Sequence, residues 1–344
     1  MNALVLTEYM NLRYQEVPKP VLTSPTQTLV RIKAASICGS DVHGYDGSTG
    51  RRQPPLIMGH EGSGVIEEVG SMVTNFKVGD RVTFDSTIFC GSCHFCKQGL
   101  FNLCDNRRVL GVGCDEYKQD GIFAEYAIIE ERVLFALPEG LSFEEAAMVE
   151  PAAVAAHALS LASPSLHEDV AVVGAGLIGL LTIKLLRTIT SGKIIALDVD
   201  ENRREKALEV GADYAFDPSD STLTTRVMEL TANLGLNLVY EAVGATAPIQ
   251  TAIALTRKGG TVVLVGNVSP KSELPLQSVV TRQIKLQGSC AINGEYPSVL
   301  KMMADKVLDV TDLISKVAPL AEGKLWFDRL YNKEGDLLKV VLIP

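Results

Sequence analysis

The sequence predicts an α/β protein made of a β-rich part and a doubly wound parallel sheet. Three observations carry that prediction. Short strand-like runs broken by Gly, Pro and Asp fill the first 149 residues; apolar strands alternate with helices after Glu150; and a strand-like tail follows once the alternation fades. At 344 residues the chain is long enough for two domains with substantial cores.

In the first part, the runs 29–33 and 64–69 read as strands, and Val78-Gly79-Asp80-Arg81-Val82 reads as a turn entering another. Together they suggest a compact barrel of short strands. An Ala-rich helix over about 151–163 then leads into a strand at 170–173. A Gly-rich turn, an apolar helix and a second strand at 193–198 follow, with further strands at 236–241 and 260–266. Such alternation implies parallel pairing, because each crossover between parallel strands needs a helix-length connection. The alternation fades after about residue 289, and the run 338–342 reads as a strand that rejoins the first part. The expected domains are therefore 1–149 with 290–344, and 150–289.

Composition narrows the functional classes. With 47% hydrophobic and 21% charged residues the chain is ordinarily globular, which excludes disordered and fibrous proteins. A net charge of −9 argues against a broad nucleic-acid surface, which needs clustered Lys and Arg. The basic pairs Arg51-Arg52 and Arg107-Arg108 are isolated and read as solvated surface residues. The N-terminus lacks the basic lead and continued apolar run of a secretory signal. The longest apolar stretches fall short of a membrane span. The expected location is the cytoplasm.

Gly174-Ala175-Gly176-Leu177-Ile178-Gly179 matches G-x-G-x-x-G, follows an apolar strand and opens an apolar helix, and Asp198 ends the next strand. That context completes a dinucleotide-binding fingerprint. Gly174 permits the tight turn, Gly176 lets the backbone approach a pyrophosphate, and Gly179 allows close helix–strand packing. The pyrophosphate then meets unpaired N–H groups and the positive end of the helix dipole. Asp198 is expected to accept hydrogen bonds from the ribose hydroxyls and to repel a 2′-phosphate, which favours NAD over NADP. The nearby Arg203 and Arg204 pull slightly the other way.

The chain has seven cysteines, and four of them, Cys90, Cys93, Cys96 and Cys104, crowd together. In a cytosolic enzyme such crowding reads as metal binding rather than disulfides. Four thiolates this close can wrap one tetrahedral Zn²⁺, and a closed Cys₄ shell is of the structural kind. The expected lobe spans about 88–106, with His94 exposed on it. Three further potential ligands lie apart: Cys38, His60 and the pair Glu61 and Glu150. Spacing alone does not join them.

Gly59-His60-Glu61-Gly62-Ser63-Gly64, with Gly70 and Val73 beyond, resembles the zinc signature of the medium-chain alcohol dehydrogenases. The resemblance covers essentially the whole chain, in family order. It implies a GroES-like β-rich catalytic domain, a Cys₄ lobe, a Rossmann domain and a returning C-terminal segment. It also implies a catalytic zinc held by Cys38 and His60, hence two zinc ions per chain, and hydride transfer from an alcohol carbon to a nicotinamide. Where the alcohol dehydrogenase branch has a second cysteine ligand, this sequence has Glu150, in Val149-Glu150-Pro151. That departure resembles the polyol branch, which includes sorbitol and galactitol-1-phosphate dehydrogenases. Whether Glu61 or Glu150 completes the site stays open, and one of them could instead hold a zinc-bound water. By the same resemblance Ser40 takes the alcohol proton, His43 relays it outward, and Asp41 orients His60. Val265 and the stretch Ser289-Cys290-Ala291 fall where the family holds the nicotinamide amide. Lys339 falls near a pyrophosphate-binding basic residue. Tyr45 is a possible substrate contact, and Cys114 and Cys290 are expected to be unligated.

The implied function is NAD-linked oxidation of a secondary alcohol of a polyol or sugar alcohol, by a homodimer or homotetramer that engages neither membrane nor nucleic acid. Butanediol or L-threonine oxidation uses the same zinc core and is the nearest alternative. A zinc-free quinone reductase or a non-catalytic relative usually lacks both the Cys₄ lobe and the Gly-His-Glu motif, which are present here.

Overall fold

The computed structural model describes residues 1–113 and 119–344, so the expectation for Cys114 lies outside the described residues. The chain divides into two compact units, Met1–Glu150 with Ile292–Pro344, and Pro151–Ala291.

The first unit is organised around the strand Gln27–Ser36. Among the described residues it belongs to a seven-stranded sheet with Leu134–Ala136, Arg81–Phe84, Glu61–Val69, Val340–Ile343, Lys316–Pro319 and Tyr126–Glu130. Glu61–Val69 runs antiparallel to it in a register that sets Ser36 opposite Glu61. Val340–Ile343 flanks its other side, with Val341 opposite Ser36. The tail therefore pairs with the first part, two residues later than the sequence suggested. A smaller sheet joins Asn11–Glu16, Asn2–Glu8 and Leu56–Ile57. Leu4, Leu6, Phe84, Phe123 and Phe327 fill the interior and are fully buried.

The second unit is a parallel sheet in the order Tyr214–Phe216, Ile194–Leu197, Val170–Val173, Leu236–Glu241, Thr256–Leu264, Lys285–Gly288. Val170–Val173 and Ile194–Leu197 are buried along their whole length, as strands covered on both faces must be. That is why they read as unbroken apolar runs. The order reverses at Val170–Val173, the switch point outside whose carboxyl end ligands bind in this architecture. Two strands escaped the sequence reading: Tyr214–Phe216 has only three residues, and Lys285–Gly288 is a half-polar edge strand. The Ala-rich helix runs over Val149–Leu161, which places Glu150 in its first turn. Among the described residues, no helix is long and apolar enough to cross a membrane.

Candidate active site

Cys38 caps the helix Gly39–Tyr45, its sulfur accepting the Ser40 amide at 3.5 Å. His60 immediately precedes the strand Glu61–Val69 and follows Gly59, whose φ of +92° suits glycine; a Cβ there would also meet the Phe123 ring. One ligand atom from each of Cys38, His60 and Glu61 falls within 4.8 Å of the others, with His60 and Glu61 buried. Spacing alone left these residues unjoined and the family resemblance joined Cys38 with His60; the pairing of Ser36 with Glu61 brings Glu61 to them. A thiolate, an imidazole and a carboxylate that converge in this way are the donor types zinc takes.

Asp41 is fully buried behind His60, its Oδ1 3.4 Å from His60 Nδ1. That contact is an ion-pair approach outside hydrogen-bond geometry, and among the described residues nothing else hydrogen-bonds His60 Nδ1. Burial alone would raise the Asp41 carboxyl, but the His60 ring and the Arg52 guanidinium hold it well below the usual range. Burial alone would lower the His60 imidazole, yet the charges of Asp41 and Cys38 raise it well above the ordinary value. A bound cation would oppose that proton, because metal ligation needs a neutral ring.

Glu61 is 1% exposed, and one of its oxygens, Oε2, takes both the Ser36 hydroxyl and the Lys339 ammonium, the latter at 2.6 Å. Lys339 also donates to the Ile37 carbonyl at 3.1 Å. The contact with Glu61 was not foreseen for Lys339, which was expected near a pyrophosphate. Its side chain is 1% exposed and its ammonium is engaged beside the ligand cluster, where a buried cation needs a carboxylate partner. Glu150 is half-buried outside the set of three, with the Ser86 hydroxyl 3.5 Å from its Oε1. Burial and the nearby Glu61 carboxylate push its carboxyl up to about 8.

Ser40 and His43 are both exposed on Gly39–Tyr45 and lie three residues apart, hence on one face of the helix. Tyr45 is fully buried, with its hydroxyl 2.7 Å from the Met10 carbonyl oxygen and 2.9 Å from Asp328. It packs edge-on against Phe327, so it is a core residue and not a substrate contact. Arg52 was expected on the surface but is 4% exposed and donates to Asp41 from Nε at 3.3 Å and Nη2 at 3.0 Å. The sequence reading passed over Arg52 as a site residue, and over Ser36. Ser36 leaves a weak signal two residues before Cys38; Arg52 leaves none.

The four lobe cysteines form a second convergent group within 4.8 Å. The sulfurs of Cys90 and Cys96 are 4.0 Å apart and those of Cys93 and Cys104 3.9 Å. Zinc–sulfur bonds of about 2.3 Å in a tetrahedron would place them about 3.8 Å apart, so the group fits one zinc ion. Amide donors from Ser92 and then Cys93 draw the Cys90 thiol down to about 5, which favours the thiolate that zinc requires. His94 is exposed.

In the second unit, Gly174 has a φ of +94°, and a Cβ on Gly179 would overlap the Gly174 carbonyl oxygen. Leu177 and Ile178 open the helix Leu177–Arg187, which Gly176 caps without a side-chain hydrogen bond, leaving its first amides free for an anion. Asp198 lies at the carboxyl end of Ile194–Leu197, accepting the Ala175 amide at 2.8 Å through Oδ2 and the Asp200 amide at 3.0 Å through Oδ1. The Arg203 guanidinium stands 3.9 Å from Oδ2 with nearly half its side chain exposed. Val265 follows the strand Thr256–Leu264, its amide donating to the Glu241 carbonyl.

The alcohol dehydrogenase GroES-like domain model matches residues 24–139, and the zinc-binding dehydrogenase model matches residues 178–305. The sorbitol dehydrogenase of Halalkalibacterium halodurans is 35% identical over 100% of this chain and 99% of its own. The D-arabitol-phosphate dehydrogenase of Enterococcus avium is 33% identical over 92% of this chain and 89% of its own. A solved zinc-binding dehydrogenase from Sinorhizobium meliloti 1021, bound to NADP, superposes with a TM-score of 0.89 at 30% identity, covering 100% of this chain and 99% of that one.

Proposed function

The chain belongs to the zinc-dependent medium-chain alcohol dehydrogenases, and from that premise we propose that it oxidises a secondary alcohol of a polyol or sugar alcohol with NAD as hydride acceptor. The convergence of Cys38, His60 and Glu61 on one point is the observation that carries this reading. When bound there, zinc supplies the Lewis acidity that lowers the pKa of a substrate hydroxyl, and the nicotinamide supplies the hydride acceptor.

The chain's own groups do the rest. Cys38 and His60 hold the ion, with Glu61 as the third donor in reach. Ser40 accepts the alcohol proton and His43 passes it to solvent from one turn further along the same exposed helix face. Glu150, with its raised affinity for a proton, stands beside the set as a second acceptor or as a ligand in exchange with Glu61. The free amides after Gly176 hold the pyrophosphate. The Asp198 carboxylate faces the ribose, where a 2′-phosphate would meet a like charge; Arg203 beside it softens that preference without reversing it.

A turnover panel tests the reading. Hexitols, pentitols, their phosphates, 2,3-butanediol and L-threonine would each be offered with NAD and with NADP. Reduction of NAD by one or more polyols is expected; turnover with L-threonine alone would end the polyol assignment, and strict use of NADP would end the cofactor assignment.

A further inference from the structure

Arg52 is a buried cation for which the proposed reaction has so far found no use. Its guanidinium grips Asp41 Oδ1 through Nε at 3.3 Å and Nη2 at 3.0 Å, and the same Nη2 reaches Ser40 Oγ at 3.3 Å. Asp41 Oδ1 is also the atom 3.4 Å from His60 Nδ1. One rigid fork thus touches the carboxylate behind a metal-ligating imidazole and the hydroxyl assigned to the proton relay. The helix is cut away to admit it, because a Cβ on Gly44 would overlap Arg52 Cγ. Arg52 is 4% exposed and Asp41 fully buried, so the pair is held out of water.

We propose that Arg52 is a positioning residue that fixes the orientation of His60, through Asp41, together with that of Ser40. The Ser40 half rests on the relay reading given above. A hydroxyl has two lone pairs and one proton. With Arg52 donating to one lone pair, the other is left to accept the substrate proton while the hydroxyl passes its own onward. Only a planar guanidinium presents several donors in a fixed fork; an ammonium is a point charge on a flexible stem. The two halves therefore separate experimentally.

The test compares Arg52→Met, Arg52→Lys, Ser40→Ala and the Arg52→Lys/Ser40→Ala double variant as zinc-loaded proteins. Zinc affinity is read by chelator competition, and kcat and KM by steady-state turnover. Arg52→Met is expected to weaken the reactive-site ion about 10- to 100-fold while the Cys₄ ion stays. Arg52→Lys keeps the charge on Asp41 and most of the metal affinity, yet turns over about tenfold more slowly at unchanged KM. Added to Ser40→Ala, it costs nothing further in kcat. If Arg52→Met does not fold, Arg52→Lys decides. Folded variants that hold zinc and turn over as the parent does overturn the proposal. Parental turnover by Ser40→Ala alone overturns the relay reading and the Ser40 half with it, and zinc affinity then judges the Asp41–His60 half by itself.

Discussion

Lys339 carries a full charge with 1% of its side chain exposed, so its 2.6 Å contact with Glu61 is as much a necessity as an interaction. Removing one member of a buried ion pair strands the other, at about 3–5 kcal/mol. Lys339→Met is therefore expected to lower the stability of the metal-free protein by about that much, measured by denaturant unfolding. A midpoint equal to the parent's would show that Ser36 alone satisfies Glu61. Glu150 poses the opposite problem, a carboxyl with no ion-pair partner shown among the described residues that burial and Glu61 push up to about 8. A carboxyl so poised serves proton transfer near neutrality. Glu150→Ala is expected to lose at least about tenfold in kcat while affinity for the nicotinamide cofactor, read by fluorescence titration, stays at the parental value. An unchanged kcat would remove Glu150 from the reaction.

The lobe from Cys90 to Cys104 holds little regular structure, a four-residue helix His94–Lys97 and a single 3-10 turn at Phe101–Leu103. Segments so short do not order themselves, and a closed zinc shell on the four cysteines would supply the folding free energy they lack. With an ion proposed at each site, Cys93→Ser should therefore remove one zinc per chain and lower the melting temperature before any specific loss of kcat. Metal analysis beside thermal unfolding checks this, and an unaltered melting temperature would argue against a structural ion. The same contrast explains what could be read in advance. The Cys₄ spacing and the glycine turn were legible because their partners are neighbours in sequence. The strands Val170–Val173 and Ile194–Leu197 were legible because burial on both faces leaves an unbroken apolar run. Lys285–Gly288 was hidden because an edge strand need not be apolar. The contact of Lys339 with Glu61 was hidden because the two lie 278 residues apart, and Arg52 was taken for surface because the slot at Gly44 exists only once the helix has formed.

Each unit has its own core, and the first also gathers charges that an apolar interior would not hold unaided: Asp41, Arg52, His60, Glu61 and Lys339 are all buried. Their balance makes stability depend on pH and on the metal in opposite senses. Glu150 has its carboxyl raised from 4.5 to about 8, so the folded protein binds that proton more tightly than the unfolded chain. This contribution is whole below 4.5 and is lost as pH rises through about 8. Asp85, which burial raises from 3.8 to about 6, and His60, raised by Asp41 and Cys38 against its burial, act in the same direction. Asp41, whose carboxyl is depressed, acts in the reverse direction, but only below its ordinary value of 3.8. In protein stripped with a chelator these groups of the reactive site lose their contribution as pH rises through that window, while the Cys90 thiol, drawn from 9.0 down to about 5, acts in the reverse direction. Zinc competes with the His60 proton for the ring, so its affinity grows as that proton leaves. The expected result is a gap in melting temperature between zinc-loaded and stripped protein that widens from about pH 5 to about pH 8. A gap that stays constant would mean that these buried groups exchange no protons when the metal binds, and would contradict the ligand set drawn from Cys38, His60 and Glu61.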